Sequence, residues 1–496
     1  MANRLISNLS GGMNNKTSPL LIKDNEAELI INYNLDKSGA LTKRNGFAAF
    51  ATQMVAGNPI LGMHQYTNSS TPAETTQVAV INNSGGTNAV IYYNASGTWA
   101  TSKTDDTAAS GNTDYNRTRF ATFLDYLFRV NGVQVVATSI NVNGSSWGTT
   151  NAPATITPAF ISVFQDRVYL ARNGATLGSR VYFSELPSGG SLTWDTTNDF
   201  FDINPDDGDQ ITGLENNGNR LLIFKSRSMY RWTFGQTEPD RLIGVGTDSQ
   251  ECIKTNFDLG ITFFANQKGV YAYDGDRPRL ISRKIQSWFD VISSTSTVNF
   301  KAEVDADHYY LYIGDNLSFE GKLYSNVMFV YTISLDAWVI YSLGEAVSYI
   351  GKFINANTTD GESIYFGNTD GKIRHFGVNQ LLFNYLTDAG TAIQTEFVSK
   401  EYLLSFPQKT TLNYVDVIAL RRSTTSVQIQ TDRENDGITR VGKDFPSLGE
   451  TKERFSTYRF GKECRTARLR LSEHSSVSSI IEGFNFDHNP KPERKP

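Results

Sequence analysis

The feature that most constrains this chain is a hairpin unit that returns along it: an apolar run alternating with period two, a turn bearing Gly, Asn or Asp, then a second such run. It reads in Ala89 to Ala100 (AVIYYNASGTWA), Tyr126 to Thr138, Asp166 to Glu185 and Arg220 to Phe234, then again in Gly269 to Ser282, Met328 to Ser342 and Ser363 to Gly377. Period two sends successive side chains to opposite faces of a strand, so each unit is a pair of half-buried strands. Asp274-Gly275 and Asp370-Gly371 supply the positive φ that tight hairpins need. With the first turn near Ala95 and the last near Asp370, the units recur about every 46 residues, the size of a four-stranded propeller blade. Radial repetition of such blades leaves only short strand edges exposed. The spacing is uneven, so the pattern predicts an all-β fold with a β-propeller of roughly six to eight irregular blades over residues 51–385. A pair of stacked β-sandwiches would give similar hairpins.

Beyond Leu386 the alternation strengthens and the turns thin out, which predicts a separate antiparallel β-sandwich or platform over residues 386–488; its last runs carry Arg465, Arg468 and Arg470 on their polar side. The tail NPKPERKP (489–496) is charged and proline-rich and is expected to be disordered. Two short helices are predicted, Lys23 to Tyr33, with Asp24 as N-cap and Glu26 and Glu28 in the first turn, and Arg283 to Ser293. The 496 residues exceed one ordinary core, and 30 Phe, 23 Tyr and 40 Gly suit a β-rich chain with many turns. A net charge of -5 provides no global field for polyanions and argues against a sequence-specific DNA binder. Cys252 and Cys464 lie far apart in unrelated contexts, so they read as two unpaired thiols packed as small hydrophobes, not as a disulfide or zinc framework. The start MANRLISNLSGG has no apolar h-region and no window approaches the length of a membrane span, so neither export by a signal peptide nor a transmembrane segment is expected.

Catalytic motifs are missing from the text. The five histidines, His64, His308, His375, His474 and His488, are isolated from one another, and no G-x-S-x-G, Walker lysine or H-E-x-x-H occurs. No cofactor, no metal and no enzymatic step are expected. Asn94 to Trp99 and Asn143 to Gly148 faintly resemble the Asp-box turns of sialidase propellers, but they lack the aspartate and read better as turns followed by an aromatic packed between blades. The one dense charge feature is DINPDDGDQ, with Asp202, Asp206, Asp207 and Asp209. It lacks the frame of a calcium loop. It remains either a solvated acidic loop or a set of carboxylates facing a channel that nucleic acid crosses without sticking.

The opening stretch, Gly11 to Phe47 (GGMNNKTSPLLIKDNEAELIINYNLDKSGALTKRNGF), has a Gly-Gly start, Pro19, the DNEA turn, Asn32, then Gly39-Ala40-Leu41 and Arg44-x-Gly46-Phe47. In this it resembles the N-terminus of the tail hub or nozzle proteins of short-tailed bacteriophages, including the packaged-DNA stabilisation type. Gly39 is expected to turn a hairpin, Leu41 to point inward, Arg44 to be available for pairing, and Gly46 to let the chain run into the first blade. The resemblance implies a propeller with a sandwich platform, six copies in a ring below the portal and its adaptor, attachment of tail fibres or spikes, and passage of double-stranded DNA. It further implies a virion component assembled in the host cytoplasm. Residues 1–50 are then an assembly segment, with Leu20, Leu21, Ile22 and Arg44 at a subunit or adaptor interface, because exposed apolar runs seek partners. The rival expectation is a carbohydrate-binding receptor-recognition propeller of a phage, with sugars stacked on exposed aromatics.

Overall fold

A computed structural model describes residues 2–69, 74–104, 117–144, 146–174, 176–314, 316–354, 362–377, 385–420, 425–432, 440–441, 455–476 and 479–490. The fold is an all-β propeller with an attached sandwich. Five four-stranded antiparallel sheets stand alone, and two more four-stranded stretches belong to a larger sheet, giving seven blades. Their inner strands are Ile60–Asn68, Arg119–Phe123, Pro158–Phe164, Ile211–Asn216, Lys254–Asn256, Lys301–Val304 and Val347–Ile354. Each packs against the next, and the seventh packs against the first, so the ring is closed. Every one of the seven hairpin units read from the sequence falls in a different blade. Gly275 and Gly371 take up positive φ of 108° and 69° at their turns. Trp99 packs beside Phe50 where the last blade meets the first, and the Trp147 indole donates to Ser102 of blade 1 from blade 2. Both aromatics therefore sit between blades.

The last blade is completed from the other end of the chain. Its first three strands are Val347–Ile354, Glu362–Asn368 and Ile373–Phe376, and its outermost strand is Phe47–Ala49, antiparallel to Ile373–Phe376 with Phe47 opposite Phe376. The arriving chain thus closes the last blade and does not begin the first. Four further strands precede that one, and we label the five β1 (Ala2–Ile6), β2 (Ala27–Ile31), β3 (Tyr33–Leu35), β4 (Leu41–Lys43) and β5 (Phe47–Ala49). Strand β2 lies between the outermost strand of blade 6, which it meets in parallel at Ile340, and the sandwich strand Thr391–Ser399, which it meets antiparallel. The expected helix over Lys23 to Tyr33 is therefore wrong. Leu29, Ile30 and Ile31 are buried on both faces between two strands, which a continuous apolar run suits better than an amphipathic helix does. The helix expected at Arg283 to Ser293 is present in shorter form, a 3-10 turn, Arg283–Ile285, running into a one-turn α-helix, Gln286–Phe289.

The sandwich has one sheet ordered β3, β4, Ile480–Pro490, Thr410–Leu420, Phe455–Cys464, with β1 also on Ile480–Pro490. Thr391–Ser399, Thr466–Ser475, Thr425–Thr431 and Arg440–Val441 make the other. Phe397, Val415, Leu469, Leu471, Phe484 and Phe486 fill the space between them, and this core is continuous with that of blades 5 and 6. Asn489 and Pro490, expected in a disordered tail, extend a strand paired with Thr411 and Thr410; residues 491–496 lie outside the described residues. Arg468 and Arg470 do not face solvent freely. They bind Glu320 of a hairpin inserted in blade 6, and Arg468 also meets Glu28 of β2. Glu396, which is fully buried, takes Arg470, Lys322 and the Tyr324 hydroxyl. Burial opposes its charge, but Lys322 and Arg470 outweigh that and hold the carboxyl below its usual range.

Candidate functional site

The motif that carries the resemblance is an internal clasp. Gly39 turns the β3–β4 hairpin at φ 89°, and Leu41 is fully buried. Arg44 is buried in a bidentate pair with Asp388 at 2.8 and 2.7 Å. Its remaining donors go to Asn32 Oδ1 (2.7 Å), the Asn45 carbonyl (2.9 Å) and the Ser342 carbonyl (3.1 Å), so all five guanidinium N–H groups are used. Asn32 holds a positive φ of 59° that kinks the chain from β2 into β3, and its amide donates to the Gln394 carbonyl. A Cβ at Gly46 would collide with the Thr387 carbonyl oxygen, which is why glycine stands there. Arg44 is therefore not at an external interface, because its charge is consumed by the joint between blade 6, the sandwich and β5. Ile22 is likewise buried. Leu20 and Leu21 remain exposed, Leu21 at 73%. Their loop is held rigidly: Lys400 donates to the Ile22 carbonyl and to Asp24 (3.0 Å), Arg4 pairs with Asp24 (3.0 Å), and the Glu401 amide bonds the Pro19 carbonyl.

The acidic cluster is a loop between the outermost strand of blade 3 and the inner strand of blade 4. Asp202 takes Arg180 bidentately at 2.8 Å, Asp207 takes the buried ammonium of Lys225 at 2.8 Å, and Asp209 accepts the Arg227 amide at 3.0 Å. Asp206 is exposed on the short turn Pro205–Asp207. None of the four is among the residues that line the pocket on the propeller axis. They form a rim loop whose charge is mostly matched by neighbouring bases.

Charge does gather on the axis, from residues that the sequence did not single out. Arg119 of blade 2 reaches Glu251, on the turn leading into the inner strand of blade 5, at 2.7 Å. Blades 2 and 5 stand on opposite sides of a ring of seven, so this pair bars the axis. Ser249 Oγ also donates to Glu251, and Arg119 donates to the Ala159 carbonyl and lies over the Phe160 ring. Burial disfavours a charged Glu251, but Arg119 and Arg117 outweigh it and keep the carboxyl below its ordinary range.

Beside that pair lies a half-open chamber of about 350 Å³, to which all seven blades contribute. Lys254 of blade 5 and Glu303 of blade 6 pair across it at 3.2 Å. Glu215 of blade 4 lies beside that pair; burial pushes its carboxyl up to about 7, offset in part by Lys254 and Thr255 and reinforced by Glu303. Lys352 of blade 7 also lines the chamber. Lys301, near the barred level, is pushed down to about 7 by burial and by Arg117, against the pull of Glu251. His64 is kept neutral by burial, at about 4. A barred chamber of this size is far too narrow for duplex DNA, whose major groove alone is about 12 Å wide.

Both cysteine thiols are buried and pushed up to about 12, chiefly by burial, so neither is a ready nucleophile. Among the described residues no group of three or more His, Cys, Asp or Glu is arranged to hold a metal ion, and no helix is long and apolar enough to cross a membrane.

No protein-family profile matches the chain, and no curated protein sequence does either. Solved structures with a likeness to it include YCF48 bound to a D1 peptide, with 10% identity, a TM-score of 0.40, and 67% of this chain and 95% of that one covered. Another is the N-terminal domain of Nup159, at 10% identity and a TM-score of 0.36, over 70% and 98% of the two chains. The extracellular domain of BT3049 from B. thetaiotaomicron is similar at 10% identity and a TM-score of 0.42, over 82% of this chain and 47% of that one. These likenesses are loose and say nothing of function; the blade count comes from the strand order of this chain.

Proposed function

We propose that this protein is a non-catalytic structural subunit of the tail nozzle or hub of a short-tailed bacteriophage, located in the virion tail. In this reading identical copies close a ring, six by resemblance to that group. The ring lies below the portal and adaptor, retains packaged DNA, lets it pass on ejection, and carries fibres or spikes. The observation that carries the reading is the Gly11 to Phe47 motif together with what it builds. Its residues are spent on locking the propeller to the sandwich, and a ring segment under the thrust of moving DNA needs those two parts to act as one body. The axis of each propeller is barred, so the conduit of this proposal runs between copies and not through a subunit. Leu20 and Leu21, exposed on their pinned loop, are the part of the segment still available for contact with a neighbouring copy or the adaptor.

Light scattering and negative-stain imaging of the purified chain test this. The expected result is a ring with a central hole and a mass near six copies of the 55.1 kDa chain, and its loss to single chains on Leu21→Asp. A monomer or trimer that binds glycans on an array would overturn the proposal in favour of a receptor-recognition propeller.

A further inference from the structure

Where the axis is barred, three buried cations meet a single carboxylate. Arg119 and Arg117 belong to the start of the inner strand of blade 2, Lys301 opens that of blade 6, and Glu251 stands on the turn leading into blade 5. Arg119 takes Glu251 at 2.7 Å and donates to the Arg117 carbonyl at 3.4 Å. Ser249 Oγ lies 3.1 Å from the Glu251 carboxylate and 2.8 Å from the carbonyl of Phe300, the residue before Lys301. The head of Arg117 crosses to blade 7, where Nη1 meets the Ser348 carbonyl. Ser348 opens the inner strand that packs against that of Lys301, so both cations stand at the same end of neighbouring strands.

The charges there do not balance. Glu251 is bound by Arg119, and among the described residues neither Arg117 nor Lys301 has a carboxylate in contact. Each also works against the other, since the Arg117 guanidinium opposes a charge on Lys301. Arg117 is the less satisfied of the two. It is 9% exposed, its Nε has no hydrogen-bond partner, and its contact with Ser348 is long, at 3.4 Å. A buried guanidinium ordinarily spends most of its five donors on protein acceptors, as Arg44 does in this same chain. Lys301 gives one donor to the Asn299 carbonyl at 2.7 Å, which satisfies a hydrogen bond but offsets no charge. A buried group this open calls for a partner from outside the chain. Water would fill donors only, whereas an anion also offsets charge, and the arginine fork matches two oxygens of one oxyanion. Two uncompensated cations suit a dianion better than a monocarboxylate.

We propose that the barred end of the propeller axis binds one small divalent oxyanion, of the phosphate or sulfate type, held by the Arg117 guanidinium with Lys301 as the second cation. This assignment stands apart from the nozzle proposal, since it concerns the interior of one subunit.

Isothermal titration of the intact purified chain at pH 7 and fixed ionic strength tests it, with inorganic phosphate, sulfate, glycerol 3-phosphate and acetate as probes. Phosphate or sulfate should bind saturably, once per chain and about tenfold tighter than acetate. Glycerol 3-phosphate binding as well as phosphate would make a phosphomonoester the source of the group, and weaker binding would make it the free ion. Arg117→Gln should weaken the dianion about tenfold, and Arg117→Lys, which keeps the charge but loses the fork, by less. Lys301→Met should weaken it while leaving acetate nearly unchanged. If no substituted chain folds, the wild-type ranking decides. No saturable binding of either dianion, acetate binding equally well, or dianion binding unchanged by Arg117→Gln would overturn the proposal.

Discussion

The clasp and the axis both bury arginine against carboxylate, yet they are built differently. At the clasp every donor of Arg44 has an acceptor, and Asp388 also accepts the Gly344 amide. On the axis Arg119 and Glu251 are well matched, but Arg117 Nε beside them has no hydrogen-bond partner, and Glu215 borders an open chamber. Saturated polar networks specify how parts of a chain join, whereas unsaturated ones beside a cavity are poised to receive something. The difference separates a structural joint from a candidate binding site within one molecule.

The largest expected effect belongs to the clasp. Asp388→Ala leaves a buried, unpaired guanidinium and should cost about 3–5 kcal/mol in urea unfolding. A loss under about 1 kcal/mol would mean that water enters the joint and that it is no more saturated than the axis. A smaller effect of opposite sign is expected from Lys301→Met. Because the folded protein holds this amine at about 7, well under its ordinary 10.5, an unfolded chain takes up the proton that the folded one resists. Wild-type stability therefore rises with pH from about 7 to 10.5, and the substitution should stabilise at pH 7 by about 1–2 kcal/mol, with the gain vanishing toward pH 10.5. A destabilised variant at pH 7 would show that Lys301 contributes as a charged partner of Glu251. The smallest effect should come from Asp206→Asn on the rim loop, within about 0.5 kcal/mol at any pH near neutrality, because that carboxylate is exposed. A larger change, read by the same unfolding curves, would give the acidic loop a role that its pairing does not suggest.

Much of the propeller was readable because hairpins are local. Period two, a glycine or aspartate at the turn and an aromatic after it are decided within about a dozen residues, and each of the seven such units occupies its own blade. Strand β2 was misread for the same reason. Asp24, Glu26 and Glu28 look like a capped first turn when seen alone. In the fold Asp24 is held by Arg4 and Lys400, and Glu28 by Arg468, partners that lie far off in the chain. The clasp depends on Arg44 meeting a residue 344 positions away, which no local pattern announces. The axial charges left a faint signal. Glu215, Lys254, Lys301, Glu303 and Lys352 each interrupt or adjoin an apolar run that opens a blade, and laying the first strands of the blades side by side would have exposed them. The acidic loop drew attention by density alone, and density on a surface says little when bases stand beside it.

Strand β5 emerges from the ribosome roughly 300 residues ahead of Ile373–Phe376, the strand it pairs with, which at ordinary synthesis rates is a wait of tens of seconds. Through that interval an apolar β-strand has no native neighbour, while blades 1 to 6 are free to form one after another behind it. Closure of the circle therefore waits until most of the chain has been made, and this apolar strand must stay out of wrong pairings until then.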